Sequence, residues 1–289
     1  MPELPEVETI KRGLSKLIVG KTIDKTETDN PKSFPNSAQD VERFVIGAQI
    51  TKVERRAKVL LIELNTGYSL VTHLKMTGQL VFVSEDEHFG AGHPTPSLLG
   101  DLPDKSTRLT LFFSDGSRLF FNDQRKFGWM KLHPTSAISE LPFFEKVGPE
   151  PLDEMFTWQL LKQRLMKRQK TPVKPALMDQ SVIAGVGNIY ADESLWGARI
   201  HPARLVADLT DQEYRRLYKS LVAILSLSIE KGGSTDRNYV DAQGNKGSYL
   251  QFARAFRREG LPCPRCHKAI VKTRLAGRGT HFCPHCQKI

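Results

Sequence analysis

The segment Pro2-Glu3-Leu4-Pro5-Glu6-Val7 begins the chain directly after Met1 and leads into a helical pattern. The sequence predicts a helix from about Pro5 to Val19, and Gly20 suits its C-terminal cap. The apolar residues that recur at helical spacing are Val7, Ile10, Leu14 and Leu17. The chain is therefore expected to start with a helix.

Pro2 becomes the N-terminal residue once Met1 is removed, and its nitrogen is then a secondary amine. An α-amino group titrates near pH ~8, so part of it is an unprotonated nucleophile at neutral pH. Such an amine attacks sugar or carbonyl carbons and forms a Schiff base, and the neighbouring Glu3 can donate or accept a proton. The alternative is a stiff helix start in which Glu3 and Glu6 stabilise the positive end of the helix.

Strand patterns follow the first helix. Two hairpins are predicted, one from Val59–Leu64 and Tyr68–Leu74 and the other from Thr107–Phe113 and Arg118–Phe121. The segment from Ser84 to Asp104 is polar and rich in Gly and Pro, so it is expected to be a long loop. The first ~130 residues thus indicate an antiparallel sheet domain that begins with one helix.

Around residues 134–150 the pattern changes to a linker rich in Pro and Gly, and helical patterns dominate beyond it. The predicted helices cover about Phe156–Lys167, Val173–Met178, a segment starting near Asn188, and about Asp211–Lys231. Thr210 and Glu213 form a capping box for the last helix, and Gly232-Gly233 end it. Residues 233–249 are polar and contain glycine, which predicts a mobile loop.

The last 39 residues, from Gln251 to Ile289, carry most of the net charge. They hold nine basic residues and one acidic residue, and so account for +8 of the chain's net charge of +10. Such a cluster is typical of a protein that binds a polyanion. A solvated basic tail is the plainer alternative, but such tails usually lack cysteines and aromatic residues.

All four cysteines lie in this tail, in two pairs spaced as Cys263-x2-Cys266 and Cys283-x2-Cys286. Sixteen residues separate the pairs, and this spacing predicts a zinc site in which two tight turns each present two thiolates. Disulfides are the rival interpretation, but a cytosolic chain argues against them. Because four cysteines fill the site, we expect His281 and His285 at the surface or facing phosphate.

Length and hydropathy set wider limits. A chain of 289 residues with 39% hydrophobic residues is expected to form roughly two domains with real cores. No stretch approaches the ~20 apolar residues of a membrane span, and no secretory signal precedes the first helix. These features favour a cytosolic protein and exclude a membrane-spanning one.

Six motifs lie in order along the chain. They are Pro2-Glu3-Leu4-Pro5-Glu6, Arg56-Ala57-Lys58, His73-Leu74-Lys75-Met76-Thr77-Gly78, Arg125-Lys126-Phe127-Gly128, Gly185-Val186-Gly187-Asn188-Ile189-Tyr190-Ala191-Asp192-Glu193 and Gly277-Arg278-Gly279-Thr280. Together they resemble the formamidopyrimidine-DNA glycosylase family, bacterial base-excision enzymes for oxidised purines, over essentially the whole chain. The resemblance implies an α+β multidomain protein: an N-terminal helix plus an antiparallel β-sandwich, a helix–two-turn–helix domain and a C-terminal zinc β-hairpin.

The implied domains are a catalytic β-sandwich at 1–133, a linker at 134–150, a helix–two-turn–helix domain with a mobile lesion loop at 151–250, and a four-cysteine zinc finger at 251–289. The implied cofactor is one structural Zn²⁺, held by Cys263, Cys266, Cys283 and Cys286. The implied partner is double-stranded DNA that contains oxidised purines or abasic sites. We expect a monomer in the bacterial cytoplasm, associated with the nucleoid through DNA and without membrane contact.

The resemblance also implies the chemistry. Pro2 would attack C1′ of the damaged nucleotide, expel the base and form a Schiff base, after which β,δ-elimination nicks the strand. Glu3 would move protons at the sugar, and Glu6 would order the site. Lys58 would supply a positive charge near the lesion phosphate, although by itself it reads as a lysine at a strand edge. Arg278 would hold the phosphates beside the lesion.

Further residues are implied to contact DNA. Met76, Arg125 and Phe127 would fill the space left by the flipped base, although Met76 and Phe127 alone would more often be core residues. His73 and Asn188 would contact phosphates, the latter beside a Gly-x-Gly turn at a helix start. The remaining implied contacts are Lys170 and Lys174.

Two departures from the family pattern stand out: Ser106 occupies a usual histidine position, and the loop from Ser84 to Asp104 is longer than usual.

Two other functions stay open. A non-catalytic zinc protein that binds damaged DNA would explain the tail but not Pro2 and Glu3. An endonuclease VIII-like enzyme for oxidised pyrimidines is disfavoured by Leu4 and by the long loop after Gly233.

Overall fold

The computed structural model describes residues 2–93, 95–234 and 249–289. The chain divides into two compact units. The first is Met1–Glu145 together with Lys231–Ser248, and the second is Lys146–Glu230 together with Tyr249–Ile289. The predicted mobile lesion loop falls almost entirely on residues outside the described ranges.

The first unit contains two antiparallel sheets. Its elements are α1 (Leu4–Leu17), β1 (Ile23–Thr28), α2 (Ala38–Phe44), β2 (Ile50–Arg56), β3 (Val59–Leu64), β4 (Tyr68–His73), β5 (Gly78–Val83), β6 (His88–Gly92), β7 (Thr107–Phe113), β8 (Arg118–Asp123), β9 (Trp129–Pro134) and α3 (Pro142–Lys146), whose last residue belongs to the second unit. One sheet has the order β1-β7-β8-β5-β6 and the other the order β2-β3-β4-β9. Both predicted hairpins are confirmed, as β3–β4 and β7–β8.

One hydrophobic core lies between the two sheets. Phe82 and Phe121 from the five-stranded sheet belong to the same buried cluster as Leu60 and Leu70 from the four-stranded sheet. Residues of opposite sheets share one core when the sheets pack face to face, so the predicted β-sandwich is confirmed. The apolar face of α1 joins this cluster, which fixes the start of the chain against the sandwich.

The prediction that Ser84 to Asp104 forms a long loop is wrong in part. Strand β6 pairs with β5, and a short 3₁₀ helix covers Pro96–Leu98. Gly90 and Gly92 suggested turns, but they serve close packing: an added Cβ at Gly90 would lie 2.7 Å from the carbonyl oxygen of Leu98. Glycine within a strand often marks such a close backbone approach.

The second unit is mostly helical. Its elements are α4 (Trp158–Met166), α5 (Val173–Met178), α6 (Asn188–Ala198), α7 (Asp211–Glu230), α8 (Tyr249–Phe252), β10 (Val271–Leu275) and β11 (Arg278–Phe282). The four predicted helices are therefore present, with ends shifted by up to two residues. The capping box of α7 is also present: Thr210 N donates to Glu213 Oε2 (2.9 Å), and Glu213 N donates to Thr210 Oγ1 (3.3 Å).

The predicted domain boundaries stay a prediction, because compact units are a coarser division than the domains proposed from sequence. Residues 134–150 are not bare linker, since they contain a 3₁₀ helix over Thr135–Glu140 and the helix α3. Among the residues that the structure describes, no helix has both the length and the apolar character needed to cross a membrane.

Candidate functional site

The beginning of the chain is buried and held by carboxylates. Glu3 is the N-cap of α1, and Glu6 Oε2 accepts a hydrogen bond from Glu3 N at 2.8 Å. Glu6 Oε1 accepts from both the backbone N and the Oγ of Ser234, each at 2.7 Å. Glu6 thus ties the first turn of α1 to a residue more than two hundred positions away.

Lys58 and His73 lie at the same end of the four-stranded sheet. Lys58 is in the two-residue turn between β2 and β3 and is only 6% exposed. The next residue, Val59, pairs with His73 at the end of β4. The structure therefore brings together a buried lysine and a histidine that the sequence assigned separately.

Burial lowers the pKa of His73 to about 3, and the nearby charges of Lys75 and Lys58 act in the same direction. The ring is therefore neutral at physiological pH. Its Nδ1 accepts a hydrogen bond from Lys75 N at 3.0 Å, which leaves the proton on Nε2. His73 can thus act as a neutral hydrogen-bond donor towards a phosphate, but it adds no positive charge.

Met76, Arg125 and Phe127 lie in two loops at one end of the β5–β8 strand pair. Gly78 at the start of β5 pairs with Asp123 at the end of β8, so residues 74–77 and 124–128 extend from the same edge. The guanidinium of Arg125 lies over the ring of Phe127, 4.7 Å from its centroid. Phe127 is 53% exposed, which contradicts the alternative that it is a core residue.

Ser106 is not an exposed substitute for the usual histidine. It is buried, and its Oγ donates to Asp104 Oδ1 at 2.6 Å and lies 3.1 Å from Ser97 Oγ. The Ser106 hydroxyl therefore forms hydrogen bonds within this unit and is not exposed to solvent.

In the second unit, the turn before α6 is shaped by a residue that sequence reasoning missed. Gln180 Oε1 accepts from Gly185 N at 2.9 Å, and Gln180 Nε2 donates to Val186 O at 2.8 Å. Gly185 has a φ of +78°, a conformation that favours glycine. The side chain of Gln180 thus fixes the turn that presents Asn188 at the first position of α6.

Lys170 and Lys174 occupy different environments. Lys170 is exposed in the turn before α5, as a DNA contact requires. Lys174 is 1% exposed: its Nζ lies 2.7 Å from Asp192 Oδ1 and donates to Gly279 O (2.9 Å) and Thr280 Oγ1 (2.8 Å). This corrects the prediction for Lys174, because an ammonium buried among these oxygens holds the β10–β11 hairpin and does not face solvent.

The four cysteines form one cluster. Their sulfur atoms all lie within 4.8 Å of one another, and Cys266 Sγ is 3.4 Å from Cys283 Sγ. Zn–S bonds of ~2.3 Å in a tetrahedron place the sulfurs about 3.8 Å apart, so the cluster fits a zinc ion. Burial alone would raise the pKa of the Cys263 thiol, but hydrogen bonds from the backbone of Arg265, from Trp196 and from the backbone of Cys266 lower it. Burial and the neighbouring thiols raise the pKa values of Cys283 and Cys286. A thiolate is the form that binds metal.

Helix α6 holds this cluster in place. Trp196 Nε1 donates to Cys263 Sγ at 3.4 Å. Glu193 accepts from the backbone N of Arg254, Ala255 and Phe256 at 2.7–2.8 Å. The same helix therefore starts at Asn188 and supports the chain that leads into the zinc site.

The tip of the β10–β11 hairpin presents Arg278. The turn residues Ala276 and Gly277 both have positive φ, as a tight hairpin turn requires, and Arg278 is exposed. His281 is buried instead of lying at the surface: its N and Nδ1 lie 2.9 Å and 3.0 Å from Asp192 Oδ2. That part of the prediction is wrong, whereas His285 is exposed as expected.

Comparisons with known proteins agree with this arrangement. Residues 1–130 match the formamidopyrimidine-DNA glycosylase N-terminal domain, 147–239 its H2TH domain, and 260–289 the zinc finger found in FPG and IleRS. A formamidopyrimidine-DNA glycosylase of Pelotomaculum thermopropionicum is 42% identical over 100% of both chains, and one of Desulforamulus reducens is 41% identical over 100% of this chain and 99% of that one.

Solved structures are similar as well. A point mutant of the Lactococcus lactis FPG in complex with Fapy-dG-containing DNA has a TM-score of 0.88 and 35% identity over 100% of both chains. The MutM (FPG) protein of Thermus thermophilus has a TM-score of 0.83 and 40% identity, covering 99% of this chain and 98% of that one. The chain belongs to the formamidopyrimidine-DNA glycosylase family. The matched zinc-finger family and the sulfur cluster together identify one structural zinc ion.

Proposed function

We propose that this chain is a bifunctional DNA glycosylase and abasic-site lyase that removes oxidised purines from double-stranded DNA. The observation that carries the proposal is the start of the chain, where Pro2 and Glu3 are buried at the beginning of α1 and Glu3 is bonded to Glu6. Binding to DNA does not require a secondary amine such as that of Pro2 beside the positioned carboxylate of Glu3. The non-catalytic and endonuclease VIII-like alternatives are not favoured, since the matched relatives are formamidopyrimidine-DNA glycosylases.

The reaction would begin at Pro2. Its amine nitrogen forms a bond to C1′ of the damaged nucleotide, the bond from C1′ to the base breaks, and the base leaves with a proton. Glu3 protonates the sugar oxygen as the ring opens, so that an iminium joins Pro2 to C1′. The iminium makes the C2′ and then the C4′ protons acidic, and their loss expels the 3′ and 5′ phosphates in turn.

The other assigned residues would hold the substrate. Lys58 and His73 face the phosphates from the end of the four-stranded sheet, one by charge and the other by a neutral N–H. Lys170, Asn188 and Arg278 contact phosphates from the second unit. Zinc takes no part in the chemical steps, because four cysteines fill its coordination sphere and the ion stabilises the fold of the hairpin.

Met76, Arg125 and Phe127 would occupy the space left by the extruded nucleotide. Flexible and aromatic side chains wedge between bases, and an arginine can bond the edge of the orphaned base. The exposure of Phe127 and the arginine over its ring support this assignment. A cytoplasmic, nucleoid-associated location and a monomeric state stay predictions.

A strand-nicking assay tests the proposal. We expect the zinc-loaded protein to cleave a duplex that contains 8-oxoguanine opposite cytosine, leaving phosphates at both ends of a one-nucleotide gap. The same assay with an oxidised pyrimidine separates the endonuclease VIII-like alternative, which predicts faster cleavage there. Tight binding to the 8-oxoguanine duplex without any cleavage would overturn the proposal in favour of a non-catalytic protein.

A further inference from the structure

Asp123 is a fully buried carboxylate that the sequence analysis did not assign. It is the last residue of β8 and its exposure is 0%. Its backbone N donates to Ser106 O at 2.7 Å and its backbone O accepts from Arg108 Nε at 3.0 Å. The main chain at Asp123 is thus fixed on both sides, and the side chain projects into the two loops that follow from the β5–β8 pair.

One carboxylate oxygen organises the loop that carries Arg125 and Phe127. Asp123 Oδ2 accepts from Phe127 N at 2.8 Å and from Gly128 N at 2.6 Å. Lys126 has a φ of +57°, in the left-handed region, so the loop doubles back on the carboxylate. A Cβ added to Gly128 would lie 3.1 Å from the same oxygen and 2.7 Å from the Phe121 ring, which leaves little room for another arrangement.

The other carboxylate oxygen joins this loop to the one that carries Met76. The hydroxyl of Thr77, next to Met76, donates to Asp123 Oδ1. Arg125 N lies 3.2 Å from that oxygen and also donates to Thr77 Oγ1 at 3.1 Å. A single side chain therefore accepts hydrogen bonds from both loops.

We propose that Asp123 is a positioning residue that locks Met76, Arg125 and Phe127 into one preformed wedge. This inference rests on the proposed function, since it concerns residues that would enter the DNA stack. Because Asp123 is fully buried, its carboxylate is not exposed to a bound lesion. It acts through Thr77 and the loop backbone by holding the wedge in shape before DNA binds, so that binding does not bear the entropy cost of ordering two loops.

The donors require a carboxylate at this position. All four donors are N–H or O–H groups, and an ionised carboxyl group offers only acceptors. Three of the donors are backbone N–H groups that cannot reverse: Phe127 N and Gly128 N face Oδ2, and Arg125 N faces Oδ1. Whichever way an asparagine is placed, its amide nitrogen opposes at least one of them, whereas the Thr77 hydroxyl can turn to accept. Asp123→Asn therefore weakens the hold on the Arg125–Phe127 loop while almost preserving side-chain volume.

The test compares two substrates. For Asp123→Asn we expect excision of 8-oxoguanine opposite cytosine to slow by on the order of tenfold, because a buried acceptor is lost from one loop. Cleavage of a preformed abasic site, where no base must be extruded, should change by less than about threefold. A 2-aminopurine beside the lesion should brighten less on binding, because its fluorescence reports how far the stack is opened. A change confined to structural stability would not produce this selective pattern.

The turn at the other end of β8 offers a control. Asp115, in the turn before β8, accepts from Ser117 N at 3.0 Å and Ser117 Oγ at 2.6 Å. Asp115→Asn should leave both rates and the 2-aminopurine signal unchanged. Thr77→Val removes the hydroxyl that donates to Asp123 and should lower the ratio of the excision rate to the abasic-site cleavage rate. Thr77→Ser keeps the hydroxyl and should keep the wild-type ratio.

The outcomes distinguish a failure of the proposed function from a failure of the positioning role of Asp123. A wild-type protein that fails to cleave the 8-oxoguanine duplex contradicts the proposed function, whatever the variants do. With an active wild type, a folded Asp123→Asn variant whose two rates keep their ratio overturns the positioning role. If Asp123→Asn does not fold, the Thr77 pair decides: equal ratios in Thr77→Val and Thr77→Ser overturn the inference.

Discussion

Phe127 is a large apolar side chain that lies in solvent with an arginine over its face. A core phenylalanine lost to alanine costs ~3–5 kcal/mol of stability, but an exposed one leaves no cavity. An exposed aromatic ring can be covered by a partner, and we propose that this partner is the base stack next to an extruded nucleotide, whose flat apolar surface fits the ring.

Phe127→Ala should slow the excision of 8-oxoguanine from duplex DNA while sparing cleavage of a preformed abasic site. The melting temperature should stay close to that of the wild type, since the ring is more than half exposed. Parallel rate measurements on both substrates, together with thermal unfolding, check this. A large loss of stability with uniform inactivation would instead return Phe127 to the core.

His73 should remain uncharged at every pH at which the protein is folded and active. Its folded pKa is about 3 instead of 6.5, so the unfolded ring binds a proton as pH falls below about 6.5 while the folded ring does not. Stability linked to His73 is therefore lost as pH falls through that window, by at most about 1.4 kcal/mol per pH unit. An NMR titration should show the neutral ring down to about pH 5. Protonation near pH 6.5 in the folded protein would contradict this account.

Single residues differ in how far the sequence alone reveals them. Pro2 and Glu3 by themselves fit either a nucleophilic amine or a stiff helix start, and only the other motifs of the family favour the catalytic prediction. Gln180 and Asp123 could not be assigned, since their roles depend on which backbone N–H groups the fold brings to them. The family motif implies that Lys174 contacts DNA, and the sequence does not reveal that its ammonium is buried against Asp192.

At the scale of elements, α6 supports the parts of the second unit that we propose to contact DNA. This helix begins with Asn188, and three of its side chains hold other parts of the unit. Asp192 binds Lys174 and His281. Glu193 accepts from the backbone of the chain before the zinc site, and Trp196 donates to Cys263. A short zinc hairpin buries little apolar surface of its own, so metal and this helix together fix the direction of Arg278.

Lys170, before α5, and Lys174, within α5, should respond differently to the same substitution. Lys174→Met leaves Asp192 buried without its ion pair and should lower the free energy of unfolding by ~3–5 kcal/mol. Lys170→Met should leave stability unchanged, weaken DNA binding, and reduce the slope of log K against log salt concentration by about 1. Chemical denaturation and binding at several salt concentrations measure both quantities. A Lys174→Met variant with normal stability and a reduced salt slope would restore the surface role.

At the scale of the whole molecule, local patterns predicted most helices, both hairpins and the zinc pairs, because periodicity and cysteine spacing are local signals. Strand β6 was missed, since its glycines serve contacts with Leu98 and Gly78 that only the assembled sheet creates. The order of the strands in the two sheets and the share of residues 134–145 in the first unit depend likewise on long-range packing.

The central claim is that the N-terminal amine of Pro2 performs the reaction, and borohydride trapping tests it most directly. The protein is mixed with a duplex that contains 8-oxoguanine opposite cytosine, the imine is reduced, and the covalent adduct is mapped by mass spectrometry of peptides. We predict a chain that lacks Met1 and carries the sugar on the nitrogen of Pro2. An adduct on Lys58, or full lyase activity in a chain that still begins with Met1, would contradict the account.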